Sequence, residues 1–430
     1  MADVVVPEDA NHPLPPVAPP RARPIREVLA SADFRRYWLA QFLAALGNGA
    51  LRFTFVWLAL DLSDSAAAPG ILGAALGLPG FVLMMPAGVW SDRLDRKRLI
   101  VTTELAAAVA LGAAAAATWA DLMSIPLAAV FAVVTGGTLA VGGPALQSVV
   151  PSLVAPHRLM TGVALQGMGQ NAALLFGAVA GGGAIAIGGV GGAFAFLGAL
   201  QAVAAIAMQR VDLAPRGRTR QPQPASRGMR GDIGEGLRFA LAKEHEPLRS
   251  LLAIGLLAGT IWGFVSILLP EVAKEDLGSD ALQTSLLFSA LGVGLFVTSM
   301  VLASRHHIAR PGLLIATSIS TLLGGGVLVM GLSRSYALTF VVMLAWGVGG
   351  GTSMTLQRGL LQRQTPDALM GRVMGISSLA LIGSFPLAAG LASALSSALG
   401  PADALVVVGI AGIAFGAAIS WRRTIREAGS

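Results

Sequence analysis

The chain contains no cysteine, which excludes disulfide frameworks, cysteine-ligated zinc and thiol nucleophiles. Charge is scarce as well: 12% of residues are Asp, Glu, Lys or Arg, about half the ~25% of an ordinary soluble domain. No G-x-x-x-x-G-K-[ST] run occurs, so no P-loop nucleotide site is expected. No metal or nucleophile constellation appears either, and His306-His307 reads as a polar turn, so neither an enzyme nor a cofactor is expected. What fills the space is 54% hydrophobic residues and 54 glycines, with a mean hydropathy of +0.71. That composition describes a polytopic membrane protein, with the lipid bilayer as its first partner.

A helix crossing ~30 Å of hydrocarbon needs about 20 mostly apolar residues. Runs of that kind lie at roughly 37–60, 70–90, 98–118, 124–147, 161–186, 189–209, 249–270, 283–304, 311–331, 336–357, 371–395 and 401–421. Open strands would leave backbone groups unpaired in lipid, so the spans are helices. The fold class is an all-α membrane protein of 12 transmembrane helices in two six-helix halves. The net charge of +7 could suggest nucleic acid, but its distribution has another explanation. Of the 30 basic residues, 27 fall on the side that carries both termini, leaving Lys274 and Arg334 opposite and Arg52 inside the first span. Basic loops stay in the cytoplasm. Both termini are therefore expected there, with no nucleic-acid partner.

Residues 1–36 are proline-rich without a secretory h-region and read as a disordered tail. Asp33 to Trp38 (DFRRYW) reads as an interfacial anchor. Residues 37–209 form the first half and 249–421 the second, with 422–430 a short tail. Between the halves, 210–248 reads as a flexible linker followed by an amphipathic surface helix, Asp232 to Leu248. Shifting the second half by 210 positions matches Leu146, Gln147, Pro156, Leu159, Met160, Val163 and Ala178 with Leu356, Gln357, Pro366, Leu369, Met370, Val373 and Ala388. Composition alone would give about three identities in such a stretch. A parallel repeat of six spans, with substrate bound between the halves near mid-membrane, is a transporter architecture.

The stretch Gly88 to Ile100, GVWSDRLDRKRLI, gathers six charges between Asp92 and Arg98. It resembles the loop between helices 2 and 3 of the major facilitator superfamily, a glycine followed by a D-R-x-x-R-[RK]-[RK] run. Residues 34–66, 149–182, 235–252, 269–278 and 365–390 resemble one branch, the bacterial drug and siderophore exporters that include enterobactin-exporter-like and macrolide-efflux-like proteins. Where that branch often has an arginine this chain has Leu174, and where it has Gly-Pro this chain has Gly177-Ala178. Met370 replaces a commonly basic residue, and Asn48 stands where relatives often have an acidic or a small polar residue. The resemblance implies that Asp92 faces Gly371-Arg372 at the start of helix 11, across the interface between halves. It implies too that Arg93, Asp95 and Arg96 link the ends of helices 2 and 3. Such a latch would favour the outward-open state and break on rocking inward. Lys97 and Arg98 read as loop charges that fix topology.

Arg52 lies about 15 residues into the first span, or roughly 22 Å, beyond reach of the cytoplasmic face. Intramembrane charges usually face a bundle interior or a watery cavity. Arg52 either lines a cavity and meets an anionic substrate, or pairs outward with Asp61. Glu104 lies roughly 9 Å deep in the third span and reads either as a partner for the basic loop or as the proton-coupling carboxylate. Gln41, Asn48, Gln166, Gln170, Asn171 and Gln357 are cavity-lining candidates, since a buried amide needs a partner; the bland alternative is interhelical bonding. Trp57, Trp262 and Phe264 form either a stacking wall or an interfacial belt.

The sequence and the resemblance together point to a secondary transporter of the bacterial inner membrane that exports a small organic molecule, drug-like or a siderophore, by alternating access, and the resemblance implies proton antiport. A monomer is expected. An importer or lipid flippase of the same fold is the alternative within the class, and a non-transporting sensor or scaffold the alternative outside it.

Overall fold

A computed structural model describes residues 24–155, 158–213, 238, 246–303, 310–365 and 370–420; side chains at 84–93, 171, 174 and 372 are among those outside the description. The described chain is helical, with no strand. Helix α1 is Ala32–Leu62, α2 Ala67–Arg93, α3 Arg96–Trp119 and α4 Ile125–Gln147. A single helical run, Leu159–Gln209, follows. At ~1.5 Å per residue its 51 residues would reach roughly 76 Å, more than twice a bilayer core. Gly189 interrupts it with φ 63° and ψ −172°, a conformation open to glycine and unfavourable for residues with a Cβ. Residues 159–188 are α5 and 190–209 are α6. The second half holds α7 (Glu246–Glu275), α8 (Ala281–Ala303), α9 (Pro311–Leu332), α10 (Tyr336–Gln364), α11 (Met370–Gly383 and Phe385–Leu399, broken at Ser384) and α12 (Pro401–Ser420). Among the described residues, ten helical segments are long and apolar enough to cross a membrane. One of them is the α5–α6 run, and α2 is a further 27-residue helix, so the described residues accommodate twelve crossings.

Local chemistry sets where these helices begin. Ser31 accepts from the Phe34 amide at 3.3 Å to cap α1, and Asp95 accepts from the Arg98 amide at 2.8 Å to cap α3. Proline opens α9 and α12, where its missing N–H costs nothing. The middle of α9, Ser318–Gly324, widens into a π-helical turn that packs on α12.

Within the first half α1 packs on α5 and α6, α2 on α4, and α3 on α4 and α6; within the second, α8 packs on α10, α9 on α12, and α7 on α11 and α12. Two crossings carry most of the contact between halves, α2 on α11 and α5 on α8. The core of the second half is one large cluster from Leu248 to Val408, while the first half has two clusters, one at each end.

Two expectations meet differences here. Residues 24–36, expected as tail, are helical: Pro24–Ala30 forms a short helix whose Glu27 pairs with Arg158. Two of the three aromatics of DFRRYW pack inside the bundle. Phe34 and Tyr37 are fully buried, and the Tyr37 hydroxyl donates to the Leu146 carbonyl at 3.0 Å, because the α1 stripe they occupy faces α4. The proline-rich segment 1–23 and most of the linker, including most of the proposed surface helix, lie outside the described residues, and Glu246–Leu248 belong to α7.

Candidate functional site

One face of α1 presents Gln41, Ala44, Ala45, Asn48, Gly49, Arg52 and Phe53, residues spaced as a helix stripe requires. This stripe walls a cavity of about 550 Å³, within the ~300–1,000 Å³ usual for small-molecule sites. From Gln41 to Phe53 it runs roughly 18 Å along the helix axis. The opposite walls come from Thr103 and Glu104 on α3, Thr138 and Gln147 on α4, Gln170 on α5 and Gln201 on α6. Trp262 and Ser266 on α7 and Phe288 on α8 close the deep end, so both halves contribute.

The deep end is aromatic and carries one cation. Phe53 stacks on Trp57 with centroids 5.9 Å apart and meets Phe288 edge-on at 6.1 Å. Phe288 meets Trp262 at 6.3 Å, and Trp262 stacks on Trp346 at 5.8 Å. Beside this chain of rings the Arg52 guanidinium lies 3.9 Å from the centroid of Phe385, the first residue after the break in α11. A cation over a ring face is favourable, more so when desolvated. No carboxylate pairs with Arg52 among the described residues. Its alternative partner Asp61 is taken: the Lys274 ammonium donates to the Asp61 carboxylate at 2.9 Å and to the Leu60 carbonyl at 2.6 Å.

The amide candidates divide into two groups. Asn48 lines the cavity and accepts from Gln201 Nε2 at 3.3 Å, and Gln170 lines the wall of α5. Gln41 lines the cavity too, with Nε2 donating to the Gln166 carbonyl at 3.3 Å. Gln166 and Gln357 are corrected: they do not line the cavity. Gln166 donates to the Tyr37 hydroxyl at 2.8 Å, and Gln357 donates to the Leu251 carbonyl at 2.6 Å, so each pins two helices together. The side chain of Asn171 lies outside the described residues. Glu104 is 8% exposed and faces the cavity, with no basic partner among the described residues. Of the aromatic trio, Trp262 reaches the cavity, whereas Trp57 and Phe264 pack behind it.

Gly88, Asp92 and Arg93 end α2, and Gly371-Arg372 begin α11, with side chains outside the described residues. The side chains of Asp95 and Arg96 are described. Asp95 caps its own helix, and Arg96 donates to the Ser148 carbonyl at 3.4 Å, tying α3 to the exit of α4. Lys97 is more than a loop charge, since its ammonium donates to the Val211 carbonyl after α6 at 2.7 Å.

At the end of the bundle away from these basic residues, the halves close. Trp57 adds its ring 5.6 Å from the Lys274 ammonium that grips α1. Gly70 on α2 sits so close to α11 that a Cβ there would overlap Ser393, and Gly182 on α5 meets Ser285 on α8 in the same way. The cavity therefore begins mid-bundle and extends toward the basic end.

Sequence reading missed Gln201, Phe53, Phe288 and Trp346. Hydropathy treats the aromatics as ordinary span residues, and only the crossing of the two halves brings them together.

The comparisons agree with this architecture. A family model described as Major Facilitator Superfamily matches residues 37–385. The enterobactin exporter EntS of Escherichia coli O139:H28 is 27% identical over 349 residues, covering 80% of each chain, and that of Escherichia fergusonii is equally similar. Among solved structures, the nucleoside transporter NupG matches with a TM-score of 0.68 at 11% identity, covering 90% of this chain and 98% of that one. A bacterial homolog of the human lysosomal transporter Spinster, inward-facing and occupied, matches at 0.67 with 14% identity over 93% and 97%. With the fold, the two-half cavity and the matched family model in agreement, the chain belongs to the Major Facilitator Superfamily.

Proposed function

We propose that this transporter exports a small organic molecule from the cytoplasm across the bacterial inner membrane, by alternating access coupled to proton entry. The observation that carries the reading is the cavity itself, built from both halves, reaching toward the basic end and closed beyond Arg52. The excess of basic residues favours a cytoplasmic position for that end, which would give both termini a cytoplasmic position and the cavity an inward-facing one.

Arg52 is the group to receive an anionic part of the substrate, with the rings of Phe53, Trp262 and Phe288 flanking its apolar body. The amides of Asn48, Gln201, Gln41 and Gln170 supply orientation by hydrogen bonds. Glu104, buried on the cavity wall, is the carboxylate suited to exchange a proton with the cytoplasm. A drug-like compound or a siderophore meets this description, and the similarity to enterobactin exporters favours export over import. Asp92 with Arg93, at the end of α2, and Gly371-Arg372, at the start of α11, form the opposing latch of the alternative, outward-facing state.

Everted membrane vesicles test the direction. Vesicles containing the protein are expected to accumulate substrate when their interior is acidified, whereas accumulation only in right-side-out vesicles would make this an importer.

A further inference from the structure

The sequence reading places the seventh span at 249–270, which leaves Glu271 in a loop. In the structure α7 continues to Glu275, and Glu271 is inside the packed seam at the far end of the bundle, 3% exposed. Its Oε1 accepts from the Ser396 hydroxyl of α11 at 3.0 Å. Its Oε2 is buried and has no hydrogen-bond partner among the described residues, and the same holds for Ser393 Oγ, one turn away on the same face of α11. Ser393 is the side chain against which Gly70 of α2 packs. The carboxyl thus lies where three helices, α2, α7 and α11, come together to seal this end.

Among the described residues no cation pairs with it, and Arg334, the second basic residue at this end, lies against Asp276 at 3.7 Å. Along α2 residues 67–83 are uncharged, as are 385–399 of α11, and α12 contributes only the exposed Asp403. On α7 itself Glu275, exposed one turn on, is of like sign. Lys274 is the nearest cation in sequence, but its ammonium reaches across to Leu60 and Asp61 of α1. Burying a carboxylate without a counter-charge costs several kcal/mol, whereas a neutral carboxyl with one bond fits such a place far better.

We propose that Glu271 is the proton-binding site of the outer gate: the seam of α2, α7 and α11 closes over the neutral carboxyl and opens as the carboxyl ionises into water. The ligand is a proton, taken from the periplasmic side. The same helix lines the cavity at Trp262 and Ser266, the latter about 7.5 Å below along the axis, so loading the gate is mechanically linked to the cavity. This rests on the reading of the chain as an alternating-access transporter, and it adds a gate carboxyl distinct from Glu104.

The test reads gate position and needs no substrate. Because the chain has no cysteine, spin labels can be attached at Asp64→Cys and Ala398→Cys, exposed positions flanking the seam from opposite halves. Distances between them are measured by pulsed dipolar spectroscopy in lipid nanodiscs from pH 4.5 to 9. The parent pair is expected to shift from short to long distances as pH rises. Glu271→Gln should abolish that response and stay short throughout, while Glu275→Gln retains it. If Glu271→Gln is not monodisperse, Ser396→Ala reports instead. Without its donor the ionised carboxyl is less tolerable in the closed seam, so opening should begin at a lower pH. A Glu271→Gln pair that titrates like the parent, or that stays long, overturns the proposal, as does an unshifted Ser396→Ala titration. A parent seam that opens independently of pH also overturns it but leaves alternating access standing. A seam that never opens removes both.

Discussion

At the scale of single residues, burial without a partner separates functional groups from structural ones. Tyr37, Gln166 and Gln357 are polar and buried, yet each spends its hydrogen bonds on neighbouring helices. Such bonds in a membrane average only about 0.6 kcal/mol. Tyr37→Phe is therefore expected to lower the thermal unfolding midpoint slightly while leaving transport in everted vesicles near the parent rate. Arg52 is different, because its charge is held by a ring and by no carboxylate among the described residues. A hydrogen bond to a charged group contributes ~1.5–3 kcal/mol, so Arg52→Ala should weaken binding of an anionic substrate roughly tenfold to a hundredfold. Full transport of every anionic substrate by Arg52→Ala would remove its cavity role. Arg52 stood out in the sequence as a charge deep in a span. Gln201 and Phe288 did not, because nothing in a linear pattern shows that they will face the same space. Glu271 was missed for a simpler reason: Pro270 and the nearby charges end the apolar window, although the helix continues.

At the scale of helices, the far-end seam combines close packing with one ion pair, and their magnitudes differ. Lys274 and Asp61 have side chains 35% and 41% exposed, so water screens the pair and it contributes at most about 1 kcal/mol. Lys274→Met should thus shift the closed-to-open ratio no more than ~fivefold. Gly70 matters more, since any side chain there overlaps Ser393. Gly70→Val is expected to hold α2 away from α11 and lengthen the spin-label distance between positions 64 and 398 even at acid pH. An unchanged distance would mean that the seam relaxes around the added methyl groups. The spans themselves were legible as apolar runs, whereas the caps Ser31 and Asp95 start α1 and α3 ahead of the runs at 37 and 98, in polar residues that hydropathy passes over. Which helices cross between halves was not legible. The pairing of α2 with α11 depends on Gly70, Gly73 and Gly77 meeting Ser393, Ala389 and Pro386 more than 300 residues away.

At the scale of the whole molecule, a cavity reached from one side and sealed at the other is half of a transport cycle. The motif at Asp92–Arg98 belongs to the basic end, and the contacts of Asp95, Arg96 and Lys97 already show that end of the first half tied into a unit. Such a unit can rock against the second half without unfolding. The repeat detected between residues 146–178 and 356–388 anticipated two comparable halves, whereas the cargo left no mark in the pattern. Comparing metabolites in the medium of deletion and complemented strains identifies candidate cargo. The decisive measurement is uptake of that compound into everted vesicles carrying the transporter, with and without a protonophore. Export by proton exchange requires accumulation that collapses when the gradient is removed and falls at least tenfold in Arg52→Ala. Uptake that is indifferent to the protonophore, or unchanged by Arg52→Ala, would contradict it.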